Sequence, residues 1–230
     1  VVMQHPKSPS LSMSLEGKDD HVKLRVCAVG LNFKDILNVL MPDEAAYLGE
    51  VPLPGADFSG VVTAVPGQKH VQVGDAVFGM CMEGEGMLRS QALVRSGTLA
   101  KMPTTVSFEE AAHMPMVFLT VEYALAEQAK LTAGERLLVH SAAGGVGLAA
   151  IQFAQRVGAE VFATASTPKH AYLQSLGVAN LSTTRDEDVF GKEMSLLVGD
   201  RGVDVVLNSL TSGDYIGKTV AMVARNGRFI

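Results

Sequence analysis

The sequence predicts an α/β protein in two parts, a β-rich domain followed by a nucleotide-binding domain with a parallel sheet. Three observations carry this expectation. The first hundred residues hold short apolar or alternating runs punctuated by Gly, Pro and Asp; from Glu135 onward apolar runs alternate with helical patterns; and a turn of small residues, Ser141 to Gly147, joins one such run to a helix.

In the β-rich part, Val22 to Val26 alternates, and Gly60 to Val65 and Ala76 to Gly79 are short apolar runs. The character changes after Met102-Pro103. Ser107-Phe108-Glu109-Glu110 has the form of a helix start, with the serine as cap and the carboxylates favourably placed against the helix dipole. The expected division is therefore 1–103 and 104–230.

In the second part, Arg136 to His140, Glu160 to Ala165 and Val203 to Asn208 read as strands, and Gly147 to Val157 and Lys169 to Leu176 as helices. Strands that are continuously apolar, rather than alternating, imply a parallel sheet covered on both faces. The closing Arg228-Phe229-Ile230 reads as mid-strand, and the opening Val-Val-Met lacks the form of a secretory signal. Both ends are expected to be cuts from a longer chain, the second domain being truncated at its C-terminus.

A chain of 230 residues, 47% hydrophobic and 19% charged, can bury a full core. Its net charge of -5 leaves no basic surplus for a phosphate backbone, so nucleic acid is not an expected partner. Its two cysteines, Cys27 and Cys81, stand in no metal spacing and suggest free thiols in a cytoplasmic protein. The longest apolar stretch, Ala111 to Ala126, is interrupted by His113, Pro115 and Glu122 and is shorter than the about 20 residues of a membrane span. No membrane anchor is expected.

The cofactor argument starts at Leu137-Leu138-Val139-His140, which leads into Ser141-Ala142-Ala143-Gly144-Gly145-Val146-Gly147 and then a helix. Ala142, Ala143, Gly144, Gly145, Val146 and Gly147 are the candidate pyrophosphate-binding residues. Small side chains let a pyrophosphate approach the backbone, and the helix N-terminus offers free N–H groups. A turn that merely packs helix on strand would use the same residue types.

The next strand ends in Ala165-Ser166-Thr167-Pro168-Lys169, with no Asp or Glu between Glu160 and Asp186. A carboxylate at that strand end would bind a ribose 2′-OH and repel a 2′-phosphate. Its absence, with Ser166 and Lys169 in its place, favours NADPH over NADH, and Arg185 is a further candidate phosphate contact. Lys169 also fits a solvated lysine at a helix start.

Four segments carry a resemblance: Gly30-Leu31-Asn32-Phe33-Lys34-Asp35-Ile36-Leu37, Phe118-Leu119-Thr120-Val121-Glu122-Tyr123, His140 to Gly147, and Gly202-Val203-Asp204-Val205-Val206-Leu207-Asn208-Ser209-Leu210. Together and in this order they resemble the enoyl reductase domains of type I polyketide and fatty-acid synthases. Those domains form part of the zinc-free branch of the medium-chain dehydrogenase/reductase superfamily. The resemblance implies a GroES-like β-rich domain followed by a Rossmann-type domain. Zinc alcohol dehydrogenases of this superfamily place a ligand Cys in a C-G-x-D segment and a ligand His in a G-H-E segment. The corresponding stretches here, Val29 to Asp35 and Pro54-Gly55-Ala56-Asp57-Phe58, carry neither, so no metal is expected.

The resemblance further implies that Thr120 lies under the nicotinamide end and that Asn208 and Ser209 close the cofactor cleft. It also implies that Asn32 borders the active site. Such residues also serve in caps and turns. In relatives a tyrosine after the Asn-Phe-Arg-Asp segment donates a proton; Tyr47 is the candidate, and a surface or core role for it stays open. The implied reaction is NADPH-dependent reduction of a trans-2-enoyl thioester, delivered on the phosphopantetheine arm of an acyl carrier protein, within a synthase compatible with a homodimer. Two other readings remain at this point, a stand-alone NADPH quinone or alkenal reductase and a non-catalytic nucleotide-binding protein.

Overall fold

A computed structural model describes residues 15–40, 53–67, 69–81 and 86–230. The chain divides into two compact units, Val1–Met116 and Val117–Ile230.

The first unit is built on a five-stranded antiparallel sheet. Its strands are β1 (His21–Gly30), β2 (Asp57–Ala64), β3 (Ala76–Met80), β4 (Gln91–Arg95) and β5 (Leu99–Lys101), in the order β4-β1-β2-β3-β5. Helix α1 (Phe33–Leu40) follows β1 directly. Alternate side chains of the strands point inward, and Val22, Leu24, Phe58, Val62, Val77, Ala92 and Val94 form its core.

Helix α2 (Phe108–Ala112) starts on the expected cap: Glu110 N–H donates to the Ser107 hydroxyl, and Ser107 N–H donates to the Glu110 carboxylate at 2.8 Å. This helix packs on the first sheet. The Ser59 hydroxyl donates to Phe108 O at 2.6 Å, and Gly30 runs so close to the Ala112 carbonyl that a β-carbon would collide with it. The units therefore part at Met116/Val117 rather than at residue 103. The turn chemistry at Pro103 marks the end of the strands, but tertiary packing assigns the next helix to the sheet before it.

The second unit opens with α3 (Pro115–Val121), whose first two residues still belong to the first unit, continued by a π-helical stretch, Glu122–Gln128. Then β6 (Arg136–Val139), α4 (Gly145–Val157), β7 (Glu160–Ala165), α5 (His170–Ser175), β8 (Asn180–Thr183), α6 (Glu187–Val198), β9 (Val203–Leu207), α7 (Tyr215–Val220) and β10 (Val223–Phe229) alternate. Every neighbouring pair in the sheet is parallel, in the order β10-β9-β6-β7-β8. Strand order reverses between β6 and β9, and ligands of such sheets bind beyond the carboxyl ends of the strands at that point.

Both faces of this sheet are covered. Leu137, Val139, Val161, Ala163 and Val205 pack with Ala150, Ile151 and Ala154 of α4, while Leu138, Phe162 and Val206 pack with Phe190 and Met194 of α6. That two-sided burial is why these strands are continuously apolar in sequence.

Candidate cofactor and active site

The carboxyl ends of β6, β7, β8 and β9 surround a cavity of about 400 Å³. It is lined by Ser141, Ala143 and Gly144 after β6, by Ala165, Ser166 and Lys169 after β7, by Thr184 and Arg185 after β8, and by Leu210 and Ser212 after β9. No carboxylate is among these residues, and two are cationic.

The turn after β6 is shaped by close packing. Ala142 is fully buried, and a β-carbon on Gly147 would lie 2.5 Å from Ala142 Cα. Gly145 has similarly little room, since a β-carbon there would lie 2.9 Å from Val117 Cγ1. Ala142 and Gly147 thus set the turn against α4, while Ala143 and Gly144 face the cavity. The N–H groups of the first turn of α4 have no intrahelical partner, and among the described residues no side chain caps them at Gly144. A small-residue cradle, the N-terminus of α4 and two cations together fit the phosphates of a dinucleotide.

The remaining candidates of this unit occupy defined places. Ser166 precedes the short 3-10 turn Thr167–Lys169 and Lys169 ends it, and Arg185 is exposed at the cavity rim. Asn208 accepts from Leu210 N–H at 3.2 Å, and the Ser209 hydroxyl donates to His140 O at 3.2 Å. Both side chains thus build the loop that brings Leu210 and Ser212 to the cavity. Val146 lies in the first turn of α4, and Thr120 stands half-buried on α3, both outside the cavity lining. Thr184 and Ser212 were not singled out in the sequence, and Leu210 only as the end of the fourth segment, because only the sheet order brings the β8 and β9 loops beside the β6 turn.

Behind the turn, His140 is buried with its Nδ1 3.1 Å from Thr164 Oγ1 and its Nε2 2.9 Å from Thr219 Oγ1. Removal from water lowers its pKa to about 4, so the ring is neutral. Its role is internal.

In the first unit, Asn32 belongs to a cluster of two buried aspartates. Asp35 accepts from Asn32 N–H at 2.7 Å and from Gly55 N–H at 2.9 Å, tying the start of α1 to the segment before β2. Asp57 Oδ2 accepts from Asn32 Nδ2 at 3.0 Å and from Met116 N–H at 3.1 Å, and its Oδ1 is buried without a protein partner among the described residues. Burial pushes the Asp57 carboxyl above its ordinary range, against the two hydrogen bonds. Asp57 was visible in the sequence only as a member of the stretch that lacks a zinc-ligand histidine; its hold on Asn32 depends on a contact 25 residues apart. Tyr47 lies outside the described residues. Among the described residues no group of three or more His, Cys, Asp or Glu side chains is placed to hold a metal ion, and no helix is long and apolar enough to cross a membrane.

Comparison with known proteins bears on both units. The alcohol dehydrogenase GroES-like domain family matches residues 18–117, and the zinc-binding dehydrogenase family matches residues 145–230. Pikromycin polyketide synthase component PikAII of Streptomyces venezuelae is 40% identical over 214 residues, which are 91% of this chain and 5% of that protein. Among solved structures, the CurK enoyl reductase superimposes with a TM-score of 0.82 at 42% identity, over 91% of this chain and 64% of that one. The JamJ enoyl reductase, in its apo form, gives a TM-score of 0.83 at 38% identity, over 92% and 65% of the two chains. The chain therefore spans a small part of the synthase and just under two thirds of the two reductase structures.

Proposed function

Because this chain belongs to the medium-chain dehydrogenase/reductase superfamily, among the enoyl reductase domains of type I synthases, we propose that it reduces a carrier-bound trans-2-enoyl thioester with NADPH. The bound nicotinamide supplies the hydride for the β-carbon, and the α-carbon then takes a proton. The single observation that carries the cofactor assignment is the cavity in which Lys169 and Arg185 converge with Ser166 and Thr184 while β7 ends without a carboxylate.

In this reading Ala143, Gly144 and the first-turn N–H groups of α4 hold the pyrophosphate. Lys169 and Arg185 neutralise the 2′-phosphate, with Ser166 and Thr184 as hydroxyl donors beside them. Thr120 supports the nicotinamide end, and the Asn208-Ser209 loop closes that side of the site. Asn32, its amide oriented by Asp57, borders the acyl group, and Tyr47 is assigned as the α-proton donor. The partners proposed are an acyl carrier protein presenting the enoyl chain on its phosphopantetheine arm and the neighbouring domains of a cytoplasmic synthase, assembled as a homodimer.

The test follows loss of reduced nicotinamide absorbance with crotonyl thioester, using NADPH, NADH and a quinone acceptor in parallel. NADPH-selective crotonyl reduction supports the proposal; turnover of the quinone alone assigns the chain to the stand-alone reductases, and silence with both acceptors to nucleotide binding without catalysis. Lys169→Ala and Arg185→Ala are each expected to weaken NADPH binding about tenfold while leaving NADH unchanged, each removing one charge-assisted contact.

A further inference from the structure

The turn that faces the cavity contains a backbone conformation that its own residue disfavours. Ser141 has φ = +53°, in the left-handed region where a β-carbon crowds the following carbonyl. A non-glycine residue persists there only when its surroundings hold it, and here the hold comes from Thr164 on β7. The Thr164 hydroxyl accepts from Ser141 N–H at 3.2 Å, and its carbonyl accepts from Ala142 N–H at 2.8 Å. One residue therefore anchors two consecutive amides of the turn.

Thr164 is itself fixed. Its Oγ1 lies 3.1 Å from His140 Nδ1, and the far nitrogen of that ring lies 2.9 Å from Thr219 Oγ1 on α7. Thr164, His140 and Thr219 are 0%, 3% and 0% exposed, and the Phe190 and Tyr215 rings flank the imidazole with centroids 5.3 and 6.5 Å away. None of the three lines the cavity, whereas Ser141 does. In a buried chain of this kind each group limits the rotation of the next.

We infer that Thr164, locked by His140 and Thr219, is a positioning residue that holds Ser141 in the left-handed conformation and so sets the cavity's affinity for the phosphates of a dinucleotide. The inference rests on the cavity being a nicotinamide dinucleotide site, and it adds a residue that never touches the ligand. Thr164 acts through the Ser141 backbone. Its effect must therefore vanish when residue 141 no longer needs holding, which glycine permits and alanine does not.

The experiment measures the NADPH dissociation constant of the full chain by fluorescence titration, with thermal unfolding recorded on the same samples. Thr164→Val removes the hydroxyl at constant shape and is expected to weaken NADPH binding about tenfold, the usual scale of one lost hydrogen bond with a partner left unsatisfied. Thr164→Ser restores wild-type affinity. In a Ser141→Gly background the same Thr164→Val change costs less than about threefold, and in a Ser141→Ala background it again costs about tenfold, each compared with its own parent. If Thr164→Val does not fold, Thr164→Cys carries the same comparison, since a thiol accepts only weakly.

Unchanged affinity in the Thr164 variant overturns the inference. So do equal losses in the glycine and alanine backgrounds, which would make Thr164 an ordinary packing residue. A wild-type chain that binds neither NADPH nor NADH removes the cofactor assignment and the inference with it, whereas wild-type binding with an indifferent Thr164 removes the inference alone.

Discussion

His140 and Asp57 give the molecule two opposed responses to acid. The imidazole titrates near 4 in the fold against an ordinary 6.5, so the unfolded chain binds that proton more readily. Its stabilisation is complete above about pH 6.5 and is lost as the pH falls toward 4, reaching about 3 kcal/mol. Asp57 runs the other way: its carboxyl keeps a proton more tightly when folded, so its contribution grows on acidification and is lost as pH rises through its folded pKa. Urea unfolding at about pH 7 and about pH 4.5 is expected to reveal a net loss at the lower pH, and His140→Asn should remove most of it. An equal loss in that variant would place the acid sensitivity elsewhere. At the same scale the sequence showed His140 only at the end of a strand pattern and gave no sign of Thr164 or Thr219. Threonine in a strand or a helix has no local signature of what it meets across the sheet.

At the level of elements, the junction of β6 and α4 separates two jobs that one glycine motif performs. Gly147 packs on Ala142, so Gly147→Ala forces α4 away from the strand and should cost about 1–3 kcal/mol of stability. Among the described residues a β-carbon on Gly144 would have only Ser141 O within reach, at 3.3 Å, and its φ of -91° suits any residue. Gly144→Ala is therefore expected to leave thermal unfolding nearly unchanged while weakening NADPH binding, because its methyl group enters the cavity. Parallel thermal melts and NADPH titrations separate the two effects; similar losses of stability in both variants would contradict the division. Strand and helix positions in this unit were legible because buried parallel strands and an amphipathic helix leave distinct apolar patterns. The π-helical Glu122–Gln128 was not, since apolar spacing does not distinguish its wider turn from an α-helical one.

Across the whole molecule, the charge balance and the cavity point in opposite directions. The chain carries -5, whereas the cavity presents Lys169 and Arg185 and no carboxylate. In the proposed reading, anion binding relies on these local cations against an unfavourable background. Raising salt from about 0.05 M to about 0.5 M should weaken NADPH binding several-fold and NADH binding much less, since only NADPH adds a 2′-phosphate near those cations. Equal salt dependence of the two nucleotides would remove Lys169 and Arg185 from that role. By itself the sequence determined the two-part α/β architecture, the superfamily, the glycine-rich turn and the uncharged end of β7, because each is written in local periodicity or contiguous motifs. Tertiary structure alone decided that α2 belongs with the first sheet, that Thr184, Leu210 and Ser212 join the cavity, and that Asp57 holds Asn32. Those facts depend on strand order and on contacts between residues far apart in the chain, which burial and hydrogen-bond satisfaction select only after the sheets have formed.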